Sequence, residues 1–421
     1  MDEKYLKALV FLDSLNNQKI KPGLERIKAA LLEWKDPQKV FPTIHIGGTN
    51  GKGSIAAVLA NILKEAGYHV GIYTSPHLNS VRERIQINGT SIPKSDFTDL
   101  VNEIRGKNRE SLSYFEFLTL LAFLYFAYKK VEMAVIEVGM GGRWDATNVI
   151  FPKVSIVSNI SLDHQIFLGN NLKSIALEKA GIIKPGIPLI TASKQPSVIS
   201  IFKDICTIHK APFYLVGKDI GYRCKKGMFD YLGFKKEIPN LKLNLIGKHQ
   251  VVNAAVALGA LELISENFDI KEMHIREGLK TVFWPGRFEI INKNPLIILD
   301  GAHNPAAAYA LKKTLISFKP SNLILVLGIM KDKDLNGIVR NIAPLANRVI
   351  VTAPDSNRAA QPEILLNIVK KYNKNAMAIL SVPDAVGEAI DLAKSKETIL
   401  VSGSLYTIGE ARAFLNEKYL D

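Results

Sequence analysis

Between an apolar, β-branched run and an amphipathic stretch stand eight residues with the makings of a phosphate cradle, Gly47-Gly48-Thr49-Asn50-Gly51-Lys52-Gly53-Ser54. Successive glycines let backbone N–H groups turn inward into a concave anion site, and the positive end of a following helix reinforces it. Lys52 can reach the β- and γ-phosphates of a nucleotide as a point charge. The spacing departs from the common G-x-x-x-x-G-K-[ST] loop. The glycine before Gly51 is one residue closer, and Gly53 separates Lys52 from the hydroxyl of Ser54.

Other residues could act beside such a loop. Glu137 interrupts the apolar run Ala134-Val135-Ile136-Glu137-Val138, and a carboxylate there is costly unless a cation or donors offset it. Near nucleotide phosphates a hard oxygen donor suggests magnesium; an ion pair with Arg143 is the alternative reading. Ser75, in Tyr73-Thr74-Ser75-Pro76, reads by itself as a Ser-Pro turn. His164 follows the run ending at Asn159, and Lys179 follows Glu178 as an exposed helical pair would. Arg287 could neutralise charge during phosphoryl transfer, or be a surface cation near a kink. Asp300 ends an apolar run, where it could accept from a nucleotide or form a turn. Tyr114 and Phe115 by themselves read more readily as core packing than as a platform for a flat heterocycle.

The elements that must position these residues follow from periodicity. Strands are expected at Thr43–Ile46, His69–Tyr73, Met133–Val138, Val154–Asn159 and Leu189–Ala192, and helices at Ser54–Ala66, Phe115–Lys130 and Ser174–Gly181. The stretch Ala211–Leu245, rich in Lys, Gly and aromatics, reads as an antiparallel excursion, and Lys248–Glu266 as a helix. A second set of strands is expected at Leu296–Leu299, Leu323–Leu327, Val349–Thr352, Ala378–Leu380 and Ile399–Ser402. Strands separated by helices imply parallel pairing through right-handed crossovers. The expected fold is α/β: a P-loop, doubly wound, mainly parallel sheet domain over residues 1–292, then a smaller Rossmann-like α/β domain over 293–421. The boundary is placed at the polar break Asn292–Asn294.

Composition sets outer limits. The 421 residues are 47% hydrophobic and 22% charged, which excludes a disordered or fibrous chain. The net charge of +14 is spread without a basic block; by itself it suits small anionic substrates about as well as nucleic acid, though the even spread does not suggest the localised basic face a nucleic-acid binder needs. Cys206 and Cys224 allow one disulfide at most, and no Cys/His spacing looks like a zinc site. No run of about 20 apolar residues exists, so no membrane span is expected. Met1-Asp2-Glu3-Lys4 lacks a signal-peptide pattern, so a cytoplasmic protein is expected.

Taken together, the loop and the separated motifs Val81-Arg82-Glu83-Arg84-Ile85, Gly139-Met140-Gly141-Gly142-Arg143-Trp144-Asp145-Ala146-Thr147-Asn148, Pro285-Gly286-Arg287-Phe288-Glu289 and Asp300-Gly301-Ala302-His303-Asn304-Pro305 resemble the Mur ligases and their folate-using relatives, the folylpolyglutamate and dihydrofolate synthases. Trp144 departs from the commoner aliphatic residue there. With the phosphate loop beginning at Gly47, the uridine-nucleotide domain of the Mur ligases proper is expected to be absent. Lys21-Pro22-Gly23-Leu24-Glu25-Arg26-Ile27 and Ser113-Tyr114-Phe115-Glu116-Phe117 instead resemble the folate branch.

The resemblance implies ATP-dependent ligation of L-glutamate to dihydropteroate, to a folate such as tetrahydrofolate, or to both, through an acyl phosphate. A peptidoglycan-precursor ligase and a non-catalytic nucleotide-binding protein are the alternatives. ATP would be held by Gly48, Thr49, Asn50, Gly51, Lys52, Gly53, Ser54, Asn253, Arg287 and Asp300. One or two Mg2+ ions would be held by Ser75, Glu137 and His164, with Lys179 carbamylated beside them. The acceptor would meet Gly23, Leu24, Glu25, Ser113, Tyr114, Phe115, Glu116, Trp144, Asp145 and Ala146, and the amino acid would meet His303 and Ser404. Closure about a Pro-Gly hinge would keep water from the acyl phosphate. A monomer is expected, with a monovalent cation as a further candidate and neither nucleic acid nor membrane as partner.

Overall fold

A computed structural model describes residues 3–16, 22–108, 110–395 and 397–419. Met1, Asp2 and Lys21, which entered the readings above, lie outside the described residues. The chain divides into two compact units. The first takes in residues up to His77, Val81–Asn244 and Val251–Val282; the second takes in Leu78–Ser80, Leu245–Gln250 and Phe283–Asp421.

In the first unit an eight-stranded sheet is built from β1 (Thr43–Gly47), β2 (Val70–Tyr73), β3 (Ile85–Ile87), β4 (Thr90–Ser91), β5 (Met133–Glu137), β6 (Val154–Val157), β7 (Leu189–Thr191) and β8 (Phe213–Leu215). Their spatial order is β4-β3-β2-β5-β1-β6-β7-β8. From β2 to β8 all neighbours run parallel, while β3 and β4 form an antiparallel edge. Every residue of β1 and β5 is buried, as strands covered by helices on both faces must be. β1 has β5 on one side and β6 on the other: the chain runs from β1 out to β2, returns to β5 and then crosses β1 to β6. The carboxyl end of β1 is therefore a topological switch point, where open α/β sheets leave a crevice for ligands.

One face of this sheet carries the helix Tyr114–Tyr128, buried without interruption from Glu116 to Phe126. A helix apolar all round belongs inside a core. Around it pack Ile27, Leu31, Phe97, Val101 and Ile104, from helices at Glu25–Glu33 and Lys94–Lys107. The helix at Glu3–Asn16 adds Tyr5, Ala8 and Leu12.

Three further strands, β9 (Gly221–Lys225), β10 (Met228–Leu232) and β11 (Glu237–Leu241), form a separate antiparallel sheet. The excursion expected at Ala211–Leu245 is thus antiparallel only from Gly221 onward. Phe213–Leu215 instead closes the main sheet in parallel with β7, because three apolar residues suffice to extend a buried ladder.

The second unit carries β12 (Glu289–Lys293), β13 (Leu296–Asp300), β14 (Leu323–Leu327), β15 (Arg348–Val351), β16 (Ala376–Ala378) and β17 (Thr398–Ser402), ordered β12-β13-β17-β14-β15-β16. All neighbours are parallel except β12, which returns antiparallel onto β13. The expected boundary at Asn292–Asn294 is therefore corrected: that polar stretch ends β12 and starts the hairpin turn to β13, inside the second unit, whose last segment runs from Phe283. A tight turn and a domain linker share the same polar composition. The strand expected at Ala378–Leu380 lies two residues earlier. Cys206 is buried and Cys224 exposed, both as free thiols. No helix among the described residues is long and apolar enough to cross a membrane.

Candidate active site

The phosphate loop leaves β1 at Gly47 and enters the helix Lys52–Glu65. Residues that follow β6 clamp it. Thr49 N donates to Asn159 O at 2.8 Å, and Thr49 Oγ1 exchanges hydrogen bonds with the Ser161 backbone. Asn50 O accepts from Ser158 Oγ at 2.7 Å and from Asn159 Nδ2 at 2.9 Å. Gly48 (φ +126°) and Gly51 (φ +88°) adopt conformations that side chains rarely take. A Cβ on Gly48 would run into Ser158 Oγ and lie 2.8 Å from its backbone N; one on Gly51 would meet the Asn253 amide at 2.5 Å. Gly51 and Asn253, far apart in sequence, are thus brought together. Ser54 Oγ, in the first turn of the helix, is buried without a hydrogen-bond partner.

The expected metal ligands occupy neighbouring strand ends. Glu137 ends β5 with its carboxylate buried. Its Oε2 accepts from Ser75 N, just beyond β2, at 3.2 Å, and its Oε1 stands 3.8 Å from Lys52 Nζ. Arg143, the alternative partner, lies 4.0 Å from Glu178 instead. Lys52 Nζ also donates to Thr49 O at 3.3 Å. His164 lies beyond β6 in the left-handed region (φ +50°), exposed, its N–H bonded to Asp163 Oδ1 at 2.9 Å. Among the described residues no group of three His, Cys, Asp or Glu side chains stands ready to hold a metal. The Glu137 carboxylate and the hydroxyls of Ser75 and of the orphaned Ser54 are hard oxygens, the donors that suit a hard divalent cation.

Lys179 departs from the exposed pair suggested by its neighbourhood. It is only 5% exposed, at the end of the helix Leu172–Lys179, and donates to Gly48 O at 2.9 Å. Burial, and then the charge of Lys52, lower its pKa to about 7. The signal that could have found it lies in glycines. Gly142 abuts the backbone of Glu178 and Lys179, and Gly181 abuts Arg143, so only residues without a side chain let these two loops meet.

The residues expected at the acceptor site surround the helix that starts at Tyr114. Ser113 and Glu116 form a reciprocal capping box. Glu116 is also paired with Arg26 at 3.0 Å. Sequence reasoning missed that pairing, and also Arg84, whose guanidinium lies 5.5 Å over the Tyr114 ring and donates to His77 Nδ1 at 2.9 Å. Phe115 stacks on Tyr73 and fills the space beside Gly139. Gly23 (φ +133°) is half-buried, Leu24 buried and Glu25 exposed. Trp144 is half exposed. Asp145 is buried and accepts from Met140 N, Thr147 N and Thr147 Oγ1; burial raises its pKa against those donors. Ala146 begins a short 3-10 helix that Asp145 caps.

In the second unit Asp300 joins two loops, accepting from Phe288 N and Ala302 N at 3.0 Å each. Burial raises its pKa, opposed first by Arg287. Glu289, buried, accepts from Gly286 N at 2.8 Å and from Arg412 Nε at 3.0 Å, and so braces the turn that carries Arg287. His303 Nδ1 contacts Gly301 O at 2.8 Å. Ser404 is buried, with its Oγ 2.8 Å from Thr407 Oγ1 and accepting from Thr407 N.

A phosphate loop at a sheet's switch point, with a buried carboxylate and a buried lysine beside it, defines a nucleotide-dependent α/β enzyme. Residues 46–261 match the Mur ligase middle domain, and residues 286–405 match the Mur ligase, glutamate ligase domain. The dihydrofolate synthase/folylpolyglutamate synthase of Bacillus subtilis is 35% identical over 411 residues, covering 93% of this chain and 95% of its own. The structure of E. coli FolC in complex with DHPP and ADP superposes with a TM-score of 0.91 at 31% identity, covering 98% of each chain. That of a bifunctional folylpolyglutamate synthase/dihydrofolate synthase from Yersinia pestis, complexed with AMPPNP and a Mn ion, gives 0.89 at 29% identity, again over 98% of each chain. The chain belongs to the dihydrofolate synthase/folylpolyglutamate synthase family of Mur ligases and is an ATP-dependent ligase.

Proposed function

We propose that the chain joins L-glutamate to the carboxylate of a pterin acceptor, and that it accepts both dihydropteroate and a folate bearing glutamate. The observation that carries this reading is the phosphate loop at the switch point, with Lys52 and Glu137 3.8 Å apart beside it. A carboxylate oxygen of the acceptor attacks the γ-phosphorus of ATP, the bond to the β-phosphate oxygen breaks, and ADP leaves. The glutamate amine then attacks the acyl carbon, loses its proton and expels phosphate, leaving an amide. The site contributes positioning and charge rather than a covalent nucleophile.

In this reading Gly48 to Ser54, Asn253, Arg287 and Asp300 bind ATP, and Lys52 and Arg287 offset the charge that gathers on the transferring phosphoryl group. Ser75, Glu137 and His164 would hold magnesium, which would neutralise phosphate oxygens when bound. Lys179, held close to neutrality by burial, suits addition to CO2: the neutral amine forms an N–C bond and sheds a proton, so that a cation becomes an anion beside Gly48. Gly23 to Glu25, Ser113 to Glu116 and Trp144 to Ala146 shape the acceptor site, and His303 faces the incoming amino acid. Ser404, engaged in its cap, contributes the shape of its loop. A monomer working in the cytoplasm completes the proposal, supported there by two free thiols.

The test is acceptor-dependent phosphate release from ATP, with magnesium and L-glutamate present. Release with dihydropteroate and with tetrahydrofolate is expected. Release with one alone removes the dual specificity, and release with neither removes the ligase assignment for pterins. Glu137→Ala should lower turnover by about 10²-fold with the fold intact, the scale of losing one charge-placing group; full turnover in that variant would contradict its role.

A further inference from the structure

His45 lies within β1 between Ile44 and Ile46, fully buried, two residues before the phosphate loop begins. Its Nε2 is 2.8 Å from Thr147 Oγ1, which in turn is 2.5 Å from Asp145 Oδ1. Thr147 has one hydroxyl hydrogen. Asp145 already collects backbone donors from Met140 and Thr147, so its carboxylate is the acceptor and takes that hydrogen as well. The hydroxyl oxygen then accepts from His45 Nε2–H. This fixes the imidazole as the Nε2–H tautomer and leaves Nδ1 buried without a partner.

That orphaned nitrogen is the informative detail. An unpartnered buried acceptor is destabilising, and an apolar residue at position 45 would pack between its neighbours without one. Stability of the strand therefore does not account for the imidazole. Its hydrogen bond to Thr147 does. Residues 139–146 leave β5 just after Glu137, abut Lys179 at Gly142 and expose Trp144. Asn148 ties the far end by donating to Arg143 O and Gly181 O, each at 3.0 Å. Arg143 N holds the middle to Glu178 O at 2.9 Å, and the Asp145 carboxylate ties the start of the loop at Met140 to Thr147 at its end.

We propose that His45 is a positioning residue for the acceptor: through Thr147 and Asp145 it ties the loop carrying Trp144, Asp145 and Ala146 to the strand that bears the phosphate loop. The inference rests on the reading of that loop as part of the pterin site. It makes β1 a common reference for both substrates, with ATP at its end and the acceptor loop on its flank.

Steady-state kinetics and amide hydrogen exchange of the full chain test it. His45→Leu and Thr147→Val should each raise the KM for dihydropteroate about tenfold, the scale of one buried hydrogen bond, while leaving the KM for ATP within about twofold. Exchange across residues 139–148 should quicken in both. Thr147→Ser keeps the hydroxyl and His45→Gln keeps a donor of similar reach, so both should stay near the unaltered protein. A Thr147→Val variant with unchanged dihydropteroate KM overturns the inference, and so does one in which both KM values rise together. Absence of ligation by the unaltered chain with every pterin acceptor instead removes the functional reading on which the inference rests.

Discussion

At the scale of single residues, burial rather than identity sets Lys179 apart from an ordinary surface lysine. Lys179 follows a glutamate on a helix, as dozens of solvated lysines do, and its sequence neighbourhood carries no mark of its environment. The mark is in Gly142 and Gly181, which let two loops close over it. With its pKa lowered to about 7, Lys179 is increasingly neutral as pH rises through that value, and only the neutral amine adds CO2. In protein equilibrated with 13C-bicarbonate, a carbamate carbon resonance should grow as pH rises through about 7 and be absent from Lys179→Met. A resonance that persists in that variant, or none at any pH above 7, would contradict the assignment. Glu137 was legible for a different reason: a carboxylate in an apolar strand is an anomaly in the sequence itself, and only its partner had to await the structure. Arg143 was the nearer candidate in the motif, yet Lys52 from the phosphate loop stands beside it.

At the scale of elements, strands and helices with strong periodicity were readable, and their ends were not. The helix Tyr114–Tyr128 was plain from its apolar run, but the capping box that starts it also engages Glu116, so a residue that looked like a substrate contact serves the helix first. The short edge strands β3, β4 and β12 escaped reading because two to five residues of antiparallel pairing leave no period to detect. The polar turn before β13 looked like a linker because the two share a polar composition. The phosphate loop is the element where sequence and structure agree most closely, and its glycines are not equivalent. Gly48→Ala drives a methyl group into the Ser158 backbone, whereas Gly51→Ala meets the movable amide of Asn253. Both positions have positive φ, so each should cost about 1–3 kcal/mol. Gly48→Ala should be the worse of the two in denaturant midpoint and in the KM for ATP. The reverse order would mean that the clamp from Ser158 is not what shapes the loop.

Across the whole molecule, one fully buried and two half-buried histidines are expected to shape the response to acid. Burial, aided by Lys184, Arg84 and Arg287 respectively, lowers the pKa of His45 to about 3 and of His77 and His249 to about 4. Between those values and the ordinary 6.5 the unfolded chain binds protons that the folded chain does not. Stability therefore falls as pH drops through that window, by up to about 1.4 kcal/mol per pH unit for each such group. The urea midpoint should decline from pH 6.5 toward 4, and His77→Gln and His249→Gln should each flatten the decline. A slope unchanged in both variants would show that other groups govern it. The fold class itself was readable in the alternation of strand and helix, because parallel pairing leaves few topologies for such a chain. What could not be read was which distant residues meet, as with Arg26 and Glu116, since contact between separate helices leaves no trace in local spacing.

The central claim is that ATP activates the acceptor carboxylate as an acyl phosphate before the glutamate amine attacks it. An acceptor labelled with 18O in that carboxylate tests this most directly, with the released phosphate analysed by mass. One labelled oxygen should appear in phosphate for every amide formed. Amide formation with unlabelled phosphate, or no amide at all, would contradict the account.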